Sequence, residues 1–149
     1  MSLKIGSNAP DFTLKNSEGL DWNYYDLTRG KKTVVYFYPK DFTPGCTTEA
    51  CSFRDKYGHF AELDIPVIGI SRDSVAVHKK FKEHYNLPFE LLSDPDGWVA
   101  DKYKALIPIV KITKRVSYLI NENKEVIGSY TNFFNAEQHI KTMLKATNS

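Results

Sequence analysis

Two cysteines, Cys46 and Cys51, are the residues of this 149-residue chain whose type and spacing point most directly to chemistry. Their separation fits neither a Cys-x-x-Cys pair nor zinc knuckles, and no histidine pair of ligand spacing lies beside them, so neither a metal nor another cofactor is expected. Cys46 follows Pro44-Gly45 and opens a helical pattern, where unpaired backbone N–H groups and the positive end of the helix dipole favour a thiolate. Thr43, three residues earlier, brings a hydroxyl to the sulfur or to whatever the sulfur attacks. Cys51 lies off the apolar stripe Ala50/Phe53/Tyr57 and shares a face with Thr47, Thr48 and Asp55, which predicts a partly exposed thiol.

Five residues along a helix separate two Cα atoms by roughly 8–9 Å. A disulfide tolerates about 7 Å, so the two cysteines can bond only if the first turns of their helix unwind. Closing so short a loop is worth about 2 kcal/mol before strain, which makes a poor structural staple. The arrangement suits a cycle in which Cys46 is oxidised to a sulfenic acid and Cys51 condenses with it. Oxidation by a peroxide leaves negative charge on the departing oxygen, which needs fixed donors. Arg54, Arg72 and Arg115 are the candidates, and spacing does not choose among them.

The elements that must position these groups follow from the pattern of apolar residues. Thr33 to Tyr38 reads as a buried strand ended by Pro39, with a helix from about Cys46 to Leu63 beyond it. Val67 to Ile70 is a second buried strand. Asp73 or Ser74 caps a helix carrying Val77, Phe81 and Tyr85. Phe89 to Leu92 is a strand, Ser93 to Gly97 a turn rather than a calcium loop, and Trp98 to Tyr103 a short helix. Val116 to Ile120 and Val126 to Tyr130 form a hairpin, and a last helix runs from about Asn135 to Lys145 with Ile140, Met143 and Leu144 inward. Near the start, Asp11 to Leu14 and Leu20 to Trp22 flank a turn and predict an N-terminal β-hairpin. The alternation predicts an α/β domain over residues 1–149, with a mixed central sheet and helices on both faces.

Composition narrows the function. Twenty Lys and Arg against eighteen Asp and Glu leave a net charge of +2, so no nucleic-acid or anionic-membrane partner is indicated. The pairs Lys31-Lys32, Lys79-Lys80 and Lys114-Arg115 read as solvated faces. No apolar run reaches the roughly 18–20 residues of a membrane span, and the first residues carry no signal-peptide pattern, so a cytoplasmic location is expected.

Pro39-Lys40-Asp41-Phe42-Thr43-Pro44-Gly45-Cys46 resembles the peroxiredoxin pattern Pro-x-x-x-Thr-x-x-Cys, and Thr47 to Asp55 is similar to the peroxiredoxin Q (bacterioferritin comigratory protein) subfamily. The similarity continues through Ala9-Pro10-Asp11-Phe12, Gly69-Ile70-Ser71, Leu92-Ser93-Asp94 and Arg115 to Ile120. It implies a thioredoxin-like fold and a thiol-dependent peroxidase acting on hydrogen peroxide or alkyl hydroperoxides. By position it makes Cys46 the peroxidatic cysteine and Cys51 the resolving cysteine, forming an intramolecular disulfide reduced by thioredoxin or a similar dithiol protein. It gives Thr43 the task of orienting the peroxide, Pro39 that of shielding the sulfur, and Arg115 that of stabilising thiolate and departing oxygen. Glu49 matches a glutamate tied to the arginine. A monomer or weak dimer is expected. Two departures stand out: Lys124 replaces a common turn glycine, so Asn123 is expected to take the left-handed conformation, and Lys104 to Lys114 lacks the usual Gly-Val.

Overall fold

The computed structural model describes residues 2–132 and 136–147. Its strands are β1 (Thr13–Asn16), β2 (Asp21–Asn23), β3 (Thr33–Phe37), β4 (Val67–Ser71), β5 (Glu90–Ser93), β6 (Leu106–Ile107), β7 (Ile112–Thr113), β8 (Val116–Ile120) and β9 (Val126–Thr131). The helices are α1 (Tyr24–Leu27), α2 (Pro44–Glu62), α3 (Val75–Tyr85), α4 (Trp98–Lys102) and α5 (Ala136–Thr147). Seven strands form one sheet in the order β2-β1-β5-β4-β3-β8-β9, while β6 and β7 make a separate small hairpin. The β3–β4 and β4–β5 pairs are parallel, whereas β8 runs antiparallel to β3 and β1 antiparallel to β5. The predicted N-terminal hairpin is present and extends the main sheet through β5.

The central strands are apolar on both sides, and side-chain alternation divides the core between two faces. Val35 and Phe37 of β3 pack with Tyr24 of α1 and with Val99 and Ala100 of α4. Val34 and Tyr36 pack the other way, against Ala50, Phe53 and Phe60 of α2, Phe81 of α3, and Ile140 and Met143 of α5. The site helix is therefore fixed along its length by core residues, Phe53 stacking on Tyr36 with ring centroids 4.6 Å apart.

Several boundaries shift. Helix α2 starts at Pro44, two residues before the sequence-based start, because proline's fixed φ and missing N–H suit the first helical position. Ser74, not Asp73, caps α3, accepting from the Val77 N–H. Asn135, placed in the last helix by sequence, lies outside the described residues. The left-handed residue of the β8–β9 turn is Lys124, at φ +64°, rather than Asn123. Asn121 Oδ1 accepts from the N–H groups of Asn123 and Glu125, fixing the turn. Lys124 Nζ then reaches the Thr28 carbonyl at 2.8 Å and its Oγ1 at 2.9 Å, over the Tyr24 ring. That anchorage offsets the conformational cost, and burial pulls the Lys124 ammonium pKa down.

Candidate active site

Cys46 sits in the first turn of α2, 1% exposed, at the end of a loop that leaves β3 through Tyr38. Arg115, the residue before β8, lies beneath that turn. Its Nη2 donates to Cys46 Sγ at 3.3 Å and its Nη1 to Glu49 Oε1 at 2.6 Å. The Lys114-Arg115 pair is thus not a solvated face: Arg115 is 4% exposed, since the antiparallel register of β8 on β3 carries its guanidinium under α2. The other two arginine candidates are engaged elsewhere. Arg72 donates to the carbonyls of Pro95 and Lys111, and Arg54 to the carbonyl of Tyr85.

Glycine at position 45 is a steric requirement of this contact. A Cβ there would stand 2.9 Å from Arg115 Nη2. Thr43 is the N-cap residue of α2, yet its side chain makes no capping bond. Its hydroxyl donates to the Lys40 carbonyl at 2.6 Å, which leaves the oxygen lone pairs to accept a hydrogen bond from a ligand. Pro39 is half-buried and borders an open groove of about 410 Å³ with Lys40, Arg72, Lys111 and Ile112.

Charge in the site is held out of water. Burial pushes the Glu49 carboxyl up to about 8, against the charge and hydrogen bond of Arg115, which pull it down. Burial opposes the Arg115 charge too, but Glu49 and Cys46 outweigh it and hold its pKa above the ordinary arginine value. Cys51 is half-buried; burial raises its thiol pKa, with the Arg54 charge acting the other way. Both cysteines are free thiols in one unbroken helix.

Sequence reasoning missed two groups. His139 of α5 is fully buried, with Nδ1 2.7 Å from Ser117 Oγ and 3.7 Å from Glu49 Oε2, and Nε2 2.9 Å from the Asn132 carbonyl. Burial lowers its pKa to about 4, opposed by the bond to Asn132 and aided by the Arg115 charge. The signal available was Ser117, a small polar residue inside a fully buried strand. The second group is Asp41 with His78, both fully buried side chains in contact at 2.6 Å. Ser71 and Asp73 support Asp41 from behind: Ser71 Oγ donates to Asp73 Oδ2, which also accepts the Asp41 N–H.

Comparison with known proteins places this geometry. Residues 5–129 match the AhpC/TSA family. A Coxiella burnetii protein named as a peroxiredoxin, Bcp, is 46% identical over 128 residues, covering 82% of this chain and 84% of that protein. The crystal structure of peroxidoxin BcpB from Mycobacterium tuberculosis superposes with a TM-score of 0.92 at 32% identity, covering 98% of this chain and 97% of the other. A Xanthomonas campestris bacterioferritin comigratory protein, solved in work on its alkyl peroxide reduction activity, gives a TM-score of 0.85 at 27% identity, over 98% and 96% of the two chains. The mixed sheet with helices on both faces is the thioredoxin-like fold, and this chain belongs to the AhpC/TSA family as a peroxiredoxin of the bacterioferritin comigratory protein, or peroxiredoxin Q, type.

Proposed function

We propose that this thiol peroxidase works through Cys46 as the peroxidatic cysteine and Cys51 as its resolving partner, in a single chain. The observation that carries the assignment is Arg115 Nη2 donating to Cys46 Sγ at 3.3 Å while Glu49 holds the same guanidinium. The Cys46 thiolate attacks one peroxide oxygen, the S–O bond forms as the O–O bond breaks, and the departing oxygen leaves with the electron pair. That oxygen takes a proton to become water or an alcohol, and Cys46 becomes a sulfenic acid. Arg115, fixed before the substrate arrives, stabilises the negative charge first on sulfur and then on the departing oxygen. Thr43, its proton committed to the Lys40 carbonyl, accepts a hydrogen bond from the peroxide and aligns the O–O bond. Pro39 limits water at the sulfur.

Resolution requires α2 to open, because its helical geometry keeps the two sulfurs too far apart to bond. The Cys51 sulfur then attacks the sulfenic sulfur, hydroxide leaves and is protonated to water, and a Cys46–Cys51 disulfide results. A dithiol protein of the thioredoxin type returns both thiols by exchange. Hydrogen peroxide and alkyl hydroperoxides are the proposed substrates, the latter supported by the Xanthomonas relative's alkyl peroxide reduction. A reducing, cytoplasmic setting suits such a cycle. Among the described residues no helix is long and apolar enough to cross a membrane.

Peroxide-dependent NADPH oxidation, coupled through thioredoxin and its reductase, tests the assignment. Cys46→Ser is expected to abolish turnover, and Cys51→Ser to consume about one peroxide per chain and then stop. Sustained turnover by Cys46→Ser would overturn it.

A further inference from the structure

Helix α3 grips the chain on both sides of the segment that has to unwind. On the near side, Asp41 Oδ2 lies 2.6 Å from Nδ1 of His78, and Tyr38 donates to Asp41 Oδ1 at 2.5 Å. His78 Nε2 lies 3.0 Å from the Leu92 carbonyl, which can only accept, so that nitrogen carries a hydrogen and the ring is fixed to β5 as well. The neighbouring Phe42 adopts φ +63° and lays its ring on Phe81 and Tyr85 of α3, at centroid distances of 5.0 and 6.2 Å. Such a backbone conformation is strained for an aromatic residue and persists only where its surroundings impose it.

On the far side, Arg54 Nη1 donates at 2.8 Å to the carbonyl of Tyr85, the last residue of α3. The preceding residue, Phe53, is fully buried and stacked on Tyr36. Unwinding beyond this point would expose an aromatic side chain and break a charged hydrogen bond together. The cysteines lie between the two grips.

We propose that Asp41–His78 and Arg54–Tyr85 are positioning pairs through which α3 brackets residues 43–52, confining the opening of α2 to the stretch that brings Cys51 to Cys46. The proposal rests on the Cys46–Cys51 cycle put forward above. It makes His78 and Arg54 determinants of the resolution step although neither touches the reacting sulfur atoms.

Hydrogen exchange on the full chain, reduced and after stoichiometric hydrogen peroxide, tests the bracket, with peptide mapping of the disulfide run on the same samples. The oxidised form is expected to lose protection over residues 43–52 and to keep it over 54–62 and 75–85. Absence of a Cys46–Cys51 bond sinks the cycle itself. Presence of the bond with protection lost through Glu62 or back through Tyr38 overturns the bracket alone. Arg54→Ala is expected to move the far boundary toward Glu62 and to speed disulfide formation about three- to tenfold, the weight of one partly exposed charged hydrogen bond. Its second-order rate with peroxide should stay unchanged, and Arg54→Lys, which keeps a donor, should restore the boundary. His78→Gln is expected to move the near boundary back to Tyr38. Wild-type boundaries and rates in Arg54→Ala overturn the proposal whether or not His78→Gln folds.

Discussion

Gly45 and Arg115 meet so closely that a single added carbon on residue 45 would stand 2.9 Å from the guanidinium. Arg115 has little room to retreat, held by Glu49 at 2.6 Å and almost fully buried. Gly45→Ala should therefore separate stability from reactivity. Alanine favours a helical position by up to about 1 kcal/mol over glycine, which offsets part of the cost of displacing the buried guanidinium, so the urea midpoint should shift little. Reactivity with peroxide should fall about tenfold or more as the guanidinium is pushed off Sγ. Unchanged reactivity in stopped-flow mixing would count against orientation of Arg115 as the controlling factor.

Arg115→Lys tests the fork. A lysine has one ammonium where arginine presents two N–H arms, so it cannot hold Glu49 and Cys46 from separate nitrogens. The second-order rate with peroxide is expected to fall by about 10²–10³-fold, the usual scale for losing a charge-stabilising donor. A loss below threefold would mean that the second arm is dispensable.

Glu49 and His139 make opposite contributions to the pH dependence of stability. The Glu49 carboxyl rises from 4.5 to about 8 on folding, so its contribution is full below pH 4.5 and is lost as pH rises through 8. His139 falls from 6.5 to about 4, so its contribution is full above pH 6.5 and is lost as pH falls through 4. Between about pH 4.5 and 6.5 the two slopes oppose each other. From 6.5 to 8 the Glu49 slope stands alone, approaching about 1.4 kcal/mol per pH unit at most. Urea midpoints from pH 4 to 8.5 should show this decline in the wild type and its loss in Glu49→Gln. A profile unaltered by that substitution would refute the assignment.

Lys124 combines an unfavourable backbone conformation with a buried ammonium, and two substitutions separate them. Lys124→Ala keeps the left-handed strain and takes the ammonium from the Thr28 carbonyl and hydroxyl, the carbonyl keeping the Lys31 N–H, so a loss of about 1–2 kcal/mol is expected. Lys124→Gly also loses the ammonium but relieves the strain, and should be about 1 kcal/mol more stable than Lys124→Ala. Equal unfolding free energies would place the whole effect in the side chain.

The parts of the molecule legible in the sequence are those written in local patterns. The apolar run Thr33 to Tyr38, the stripe Ala50/Phe53/Tyr57 and the inward positions Ile140 and Met143 gave the sheet and its helices, because burial imposes periodicity. Cys46 and Cys51 were visible from residue type and helical position. Arg115 was not selected by spacing, since 69 residues separate it from Cys46 and only the register of β8 on β3 brings them together. The family resemblance chose it. His139 and the Asp41–His78 pair were invisible for the same reason, each being a polar contact made across elements that share no sequence pattern. The short strands β6 and β7 were missed because two-residue strands have no period to detect.

Both side chains that Arg115 grips, Cys46 and Glu49, ride on the helix that must open, while Arg115 itself is rooted in the sheet. Opening α2 therefore withdraws both acceptors from a guanidinium whose backbone stays behind beside β8. The disulfide form should be the less stable of the two by calorimetry, and it behaves as a loaded spring. Once a reductant cuts the bond, regaining the two Arg115 hydrogen bonds and the packing of Cys46 and Ala50 favours recoiling the helix.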